Sequence, residues 1–358
     1  MNLNKLKDLF LKACYAALGN INQNEYMPSG HNGSYHDIET PVRNTAHWII
    51  SFSKAYKLTN DIRFYEAIIL CINYLKNEKL RPSKKTYNCR DKEGKDKCNG
   101  LIGQAWVIEG LISGYEIVKD KEILLIVEEL FLLHPFSKEK KMWHRVQPNG
   151  DVLSLDLTFN HQLWFAMAGF KILNIQYNKT IEKRCLSFFN AISSNLKVSK
   201  NGRIGQAVKQ GLKQDFIKYN LKRILRKNEI EYMKLKEVGY HAFNTYAFSE
   251  IYSIYPEIQF FKTNLYSKII KYIASKEYII NIYNSTYGFK YNPPGFEVLR
   301  TYLTHKELLI DSENFVESLL NFHITNNYNH EQSSFTKNVH DQNTSSARLY
   351  ELSTSFKF

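Results

Sequence analysis

The sequence is short of the marks that define several common protein classes. Nowhere do about twenty apolar residues run without a charge, so no membrane-spanning helix is expected. There is no GxxxxGK(S/T) phosphate loop and no GxGxxG, and Gly100 to Gly103 is too short a hint to count, so no nucleotide cofactor is implied. The five cysteines, Cys14, Cys71, Cys89, Cys98 and Cys185, are odd in number, irregular in spacing and form no CxxC pair. That argues against a secreted disulfide framework and against a structural zinc, and it predicts a cytoplasmic protein. His31, His36 and His47 lack a tight ligand spacing, so no metal is expected. The first twenty residues put Leu3, Leu6, Phe10, Ala13 and Ala17 on one helical face, with Lys5, Lys7, Asp8 and Lys12 breaking the apolar run. They read as an amphipathic helix rather than a signal peptide.

What is present is a large apolar and aromatic fraction, 44% and 14%, with 24 Tyr and 22 Phe. Such a chain buries a sizeable core and keeps aromatics over for lining a cavity. Trp48, Trp106 and Trp164 follow one another at a constant 58-residue interval. Each lies in a segment with one grammar: a polar lead-in, an apolar helix, a short polar turn and a second helix. Asp61 and its neighbours read as the cap of one such second helix, in which Phe64, Ile68, Cys71 and Leu75 share a face. Fixed-period self-similarity marks a repeat architecture, in which a helix pair that cannot bury its apolar face alone stacks on its neighbours. Two further pairs begin at His241 and Pro294, and VLSLDLTF, near Asp156, alternates like a short strand. Five hairpins and two terminal helices close a ring if the last helix pairs with the first. The prediction is one all-α domain over 1–358.

The net charge of +13 is uneven. A basic insertion over 197–239 carries most of it, and Val208, Leu212, Phe216, Leu221 and Ile224 lie along one side of a helical pattern there. Three readings fit: a solvated excursion, a cationic helix resting on an anionic membrane surface, or a wall that draws an acidic polysaccharide toward a mouth. No nucleic-acid motif accompanies the charge, so nucleic acid is not expected as a partner.

RNTAHWIISFSKAYKLTND, from Arg43, and DQNTSSARLYELS, from Asp341, are similar to the opening and closing phrases of six-hairpin (α/α)6-toroid proteins. That superfamily includes unsaturated-uronyl hydrolases, N-acylglucosamine 2-epimerases and proteins of surface-polysaccharide gene clusters. The resemblance implies a toroid with small β-hairpin loops at its mouth and a carbohydrate-active enzyme acting on an oligosaccharide or a uronic-acid-containing glycan. No catalytic signature carries over residue by residue, so the site is read from position: the lead-ins to the inner helices converge on one mouth. Binding candidates are His36, Arg43, Asn44, Trp48, Gln104, Trp106, Asn160, Trp164, Tyr240, Arg300, Asp341, Asn343 and Arg348. Amides, cations and aromatics suit sugar hydroxyls and ring faces. The first reading is glycosidic cleavage in surface-polysaccharide metabolism, with Asp37 and Asp156 as the paired carboxyls and Glu297 and Asp341 in reserve, and Asp156 is expected to have its pKa raised by desolvation. For epimerisation or elimination the base is His161 or His241, with Tyr240, Arg43 and Arg348 neutralising a carboxylate. A glycan-binding scaffold with a decayed site is the non-catalytic alternative.

Overall fold

In the computed structural model, residues 3–209 and 227–356 are described. Most of the helical pattern read over Val208 to Ile224 lies outside them.

Helix α1, Leu3–Asn24, buries Leu6, Phe10, Ala13 and Ala17, the face set by their spacing. Two hairpins follow, α2 (Val42–Thr59) with α3 (Ile62–Lys76), and α4 (Gly100–Val118) with α5 (Lys121–Leu132). Each turn uses one device. Asn60 and Lys119 end the inner helix in the left-handed region, and Asp61 and Asp120 then cap the outer helix by accepting a backbone N–H. Strands β1 (Phe136–Ser137), β2 (Met142–Val146) and β3 (Val152–Leu155) form a small antiparallel meander in the order β1-β2-β3. A third hairpin, α6 (Phe159–Ile175) with α7 (Lys179–Asn195), comes next.

The fourth inner helix, α8 (Lys227–Ile254), starts well before the His241 that the sequence suggests as its beginning. Its outer partner is broken into a 3-10 turn at Gln259–Lys262, α9 (Asn264–Tyr272) and α10 (Lys276–Ile282), because Thr263 and Ser275 each restart a helix as an N-cap. Helices α11 (Pro294–Thr304) and α12 (Glu313–Asn327) make the fifth hairpin. The closing helix, read as continuous, is split into α13 (Gln342–Ala347) and α14 (Tyr350–Ser353), and Arg348 sits at the break.

The inner helices pack in succession, α2 on α4, then α6, α8, α11 and the α13–α14 pair, which returns to α2. The result is an (α/α)6 toroid. Backbones come close where they must: a Cβ on Gly110 would lie 2.5 Å from the main-chain oxygen of Ala46, so α2 and α4 meet at a glycine. The seam closes by contacts between chain ends. The rings of Phe10 and Phe356 meet edge to face at 5.5 Å, Lys54 Nζ donates to the Phe356 carbonyl at 2.6 Å, and the His31 N–H donates to Asp341 at 2.6 Å.

His241 is fully buried on α8. The Ile204 N–H donates to its Nδ1 at 3.3 Å, so Nε2–H is the donor to the Ile269 carbonyl at 3.0 Å. Burial holds its pKa down to about 3.

Two predictions follow from this packing. Phe10→Ala removes a ring from the seam and should cost about 3 to 5 kcal/mol in urea unfolding. His241 stays neutral in the native state but takes a proton near pH 6.5 when unfolded. Its contribution is therefore present above pH 6.5 and is lost as pH falls toward 3, by about 1.4 kcal/mol per pH unit. His241→Gln should be destabilised at pH 7.5, and its deficit relative to wild type should shrink by about 2 kcal/mol at pH 5.

Candidate active site

At the end of the ring where the inner helices begin lies a cavity of about 350 Å³. Every inner element reaches it, from Asn32, Tyr35 and Arg43 through Arg90, Lys95 and Trp106, then Asn160 and His161, Lys236, Tyr240 and Phe243, to Tyr291, Asn292 and Arg348. Two glutamines at matched positions of the repeat fix the extended segments that form its rim. Gln104 accepts from the Tyr87 N–H at 2.8 Å and donates to the carbonyls of Tyr87 and Cys98. Gln162 does the same for Trp143, at 2.9 Å in both directions, and for the Asp156 carbonyl.

The chemically distinctive pair is Asp156 and His161. His161 Nδ1 lies 2.8 Å from Asp156 Oδ2, and the same carboxylate accepts the N–H groups of Leu101 and Thr158, both at 3.1 Å. Burial pushes the Asp156 carboxyl up, but the attraction of His161 and these hydrogen bonds outweigh it and hold the pKa at about 2. An ionised carboxylate that accepts at Nδ1 places a ring proton there, so Nε2 is the nitrogen left to exchange a proton with a group in the cavity. Gly100 makes room for this dyad. Its φ is +62°, and a Cβ there would lie 2.6 Å from both Asp156 Oδ2 and His161 Nδ1.

Arg43 stacks on Trp106 at 4.1 Å and is held by Glu39 at 3.1 Å. Arg348 lies over Phe243, with Nη2 on Glu297 and Nε on Glu351, both at 2.7 Å. Tyr35 and Tyr240 share a hydrogen bond at 3.0 Å, and Tyr291 donates to Asn32 at 2.7 Å. Burial keeps the Tyr240 hydroxyl protonated by raising its pKa well above the ordinary value. Two buried atoms of the lining, Asn160 Oδ1 and Trp106 Nε1, have no partner among the described residues. One accepts and the other donates, which is what a sugar hydroxyl requires.

Arg43, Trp106, Asn160, His161, Tyr240 and Arg348 thus line the cavity, and the remaining sequence candidates lie elsewhere. Among the described residues no carboxylate lines it. Asp37 is buried beneath the rim between Lys95 (2.6 Å) and Arg90 (3.2 Å); burial pushes its carboxyl up, and hydrogen bonds from Lys95 and Asn32 bring it below its usual range. Asp156 stands behind His161, and the expected upward shift is reversed by the hydrogen bonds just described. Glu297 lies fully buried behind Arg348, where burial and the neighbouring Glu351 raise its pKa. Asp341 caps α13. His241 packs in the core, and His36 is exposed against His31. Asn44 donates to the Pro28 carbonyl and accepts from Thr344, while Gln104 serves as a backbone clamp. Arg300 pairs with Glu250 at 2.7 Å near the opposite end of the ring. Trp164 is buried against Phe243 at 4.3 Å, and Trp48 and Asn343 line a separate cavity beside α1.

Tyr35, Lys95, Lys236 and Tyr291 were not singled out by the sequence. Lys236 lay hidden in the charge of the insertion, and Tyr291 in the turn before Pro293, whose aromatic density was the available signal.

No family model matches the chain. Archaeal glycosylation protein Q of Haloferax volcanii is 32% identical over 363 residues, an alignment covering 98% of this chain and 97% of that protein. Among solved structures, a D-mannose isomerase aligns over 99% of this chain and 96% of its own, with a TM-score of 0.69 and 14% identity. Cellobiose 2-epimerase from Bacillus thermoamylovorans aligns over 99% and 100%, with a TM-score of 0.67 and 10% identity. These structural likenesses establish the toroid fold.

Gly100→Ala should cost about 1 to 2 kcal/mol from the left-handed backbone alone, and it should also displace the His161 ring. Nitrogen NMR of the imidazole checks this: the Nδ1–H signal of wild type should move or vanish in the variant.

Proposed function

The chain belongs to the family of archaeal glycosylation protein Q, and from that premise we propose that it is a carbohydrate-active enzyme of glycan assembly that moves a proton at a sugar carbon, an isomerisation or epimerisation. The observation that carries this is the Asp156–His161 dyad beside a cavity whose described lining has no carboxylate. Cleavage by paired carboxyls needs an acid and a base within reach of one bond. Here both oxygens of Asp37 and of Asp156, and one of Glu297, engage cations, His161 or backbone donors, and none of the three residues lines the cavity.

In this reading Asp156 orients His161 without taking its proton. Nε2 accepts the proton from the carbon next to the sugar carbonyl, the electron pair forms an enediolate, and Arg43 and Arg348 stabilise the developing oxyanion. The proton on Nε2 exchanges with solvent while the enediolate is held. Isomerisation completes when the hydroxyl proton of the second carbon passes to the first oxygen and His161 delivers its proton to the first carbon on the same face. Epimerisation completes when the enediolate rotates to offer its other face to the same imidazolium. No atom is gained or lost. Neutral Tyr240, with Asn160 and Trp106, binds hydroxyls.

The test is incubation of the full chain in D2O with neutral and acidic aldoses and with oligosaccharides, followed by mass and NMR analysis. The expected product is isomeric with its substrate and carries solvent deuterium at the reacting carbon. His161→Asn should lower kcat by about 10²- to 10⁴-fold while its circular dichroism remains that of wild type. A product heavier by water with a new reducing end, or full activity in His161→Asn, overturns the proposal.

A further inference from the structure

We propose that the rim of this cavity holds an oxyanion subsite, formed by Lys95 and Lys236 where they meet at Tyr35, with Arg90 beside them, which takes the phosphoryl or carboxylate group of an acidic sugar. The inference rests on the sugar-acting reading above and names the substrate class of the same site.

The observation is a meeting of cations. Lys95 comes from the segment before α4 and Lys236 from α8, yet their ammonium groups lie 5.3 and 5.1 Å from the centroid of one tyrosine ring, that of Tyr35. Lys236 also lies 5.0 Å over Tyr287. All three basic residues line the cavity. Carboxylates nearby are already claimed: Asp37 is shared by Lys95 and Arg90, and Asp96 by Arg90 and Arg145. Among the described residues Lys236 has no carboxylate partner; it has only aromatic faces.

Two like charges brought to one ring from separate elements repel, and partial burial strengthens that repulsion by lowering the local dielectric. Burial, and then the proximity of Lys95, lower the Lys236 pKa. A neutral hexose would leave this repulsion in place, whereas an oxyanion bridging the two ammonium groups removes it. The helix ends add to the same field. Pro41, Thr158 and Pro293, which precede α2, α6 and α11, give no side-chain cap, so the positive ends of three inner helices face the same mouth, while that of α4 is met by Asp96 and Asp156. Division of labour follows. The unpartnered Asn160 and Trp106 atoms meet hydroxyls inside the cavity, and the lysines take the charged group at its rim.

Isothermal titration of the full chain at fixed ionic strength, with glucose, glucuronate, glucose 1-phosphate and inorganic phosphate, tests the subsite independently of turnover. An acidic ligand should bind at least tenfold more tightly than glucose, with affinity falling as salt rises. Lys236→Met should erase that preference and Lys236→Arg should restore most of it. Binding of glucose 1-phosphate and phosphate but not glucuronate assigns a phosphoryl group, and the converse assigns a carboxylate. Equal affinity for glucose and both acidic sugars, or an unchanged preference in a folded Lys236→Met, overturns the subsite. His161→Asn should retain the preference. If acidic ligands bind and no solvent deuterium enters any of the sugars, the subsite stands and the proton-transfer reading fails.

Discussion

Closure of the ring is the constraint from which the other features follow. An inner helix here is apolar on nearly all sides; in α4 the residues from Gly100 to Ile112 are buried without a break. Such a helix is stable only with neighbours on both flanks, so the array has no tolerable free edge. The α13–α14 pair supplies the last flank, and α1 covers it from outside with Phe10 against Phe356. Curvature then puts every inner helix start at one end, and a mouth exists because the ring does.

The axis is polar, which is costly unless charges are paired. Below the mouth Arg348 is shared between Glu297 and Glu351, and burial raises the pKa of both carboxyls. Further down, Lys171 bridges Glu109 and Glu250, and Arg300 joins Glu250 at 2.7 Å. Burial pushes the Glu250 carboxyl up, and the two cations bring it down to about 2. These groups cross-link helices far apart in sequence. They also fix Arg348, so the cation in the pocket is positioned by the same acids that hold the seam.

Local rules were legible in the sequence, and partner choice was not. The burial of Phe64, Ile68, Cys71 and Leu75, the Asp61 cap and the short strand before Asp156 each depend on a few neighbouring residues, so spacing sufficed. The ring itself was readable because the repeat states its own period. The fates of the carboxylates were not, because they are decided by which partners the fold turns toward them, some tens of positions away, such as Leu101 and Lys95, and one, His161, close by in the chain. Asp156 looks like a desolvated acid until Leu101 and His161 are brought to it, and Asp37 looks like a carboxyl of the mouth until Lys95 folds over it. Trp48, Trp106 and Trp164 share a sequence interval but not an environment. Trp48 lines the cavity beside α1, Trp106 lines the pocket, and Trp164 packs on Phe243 in the aromatic core.

The two glutamine clamps have a consequence for how such a protein changes over time. Gln104 grips main-chain atoms of Tyr87 and Cys98, and Gln162 grips those of Trp143 and Asp156, so each amide closes the neck of an excursion chiefly through its backbone, Gln104 also donating to the Cys89 sulfur. Arg90 and Lys95 lie within the first excursion, and the β2–β3 hairpin within the second. The lips of the vessel can therefore be rewritten, in length and in chemistry, while the staves stay as they are. Selectivity and architecture are separately heritable.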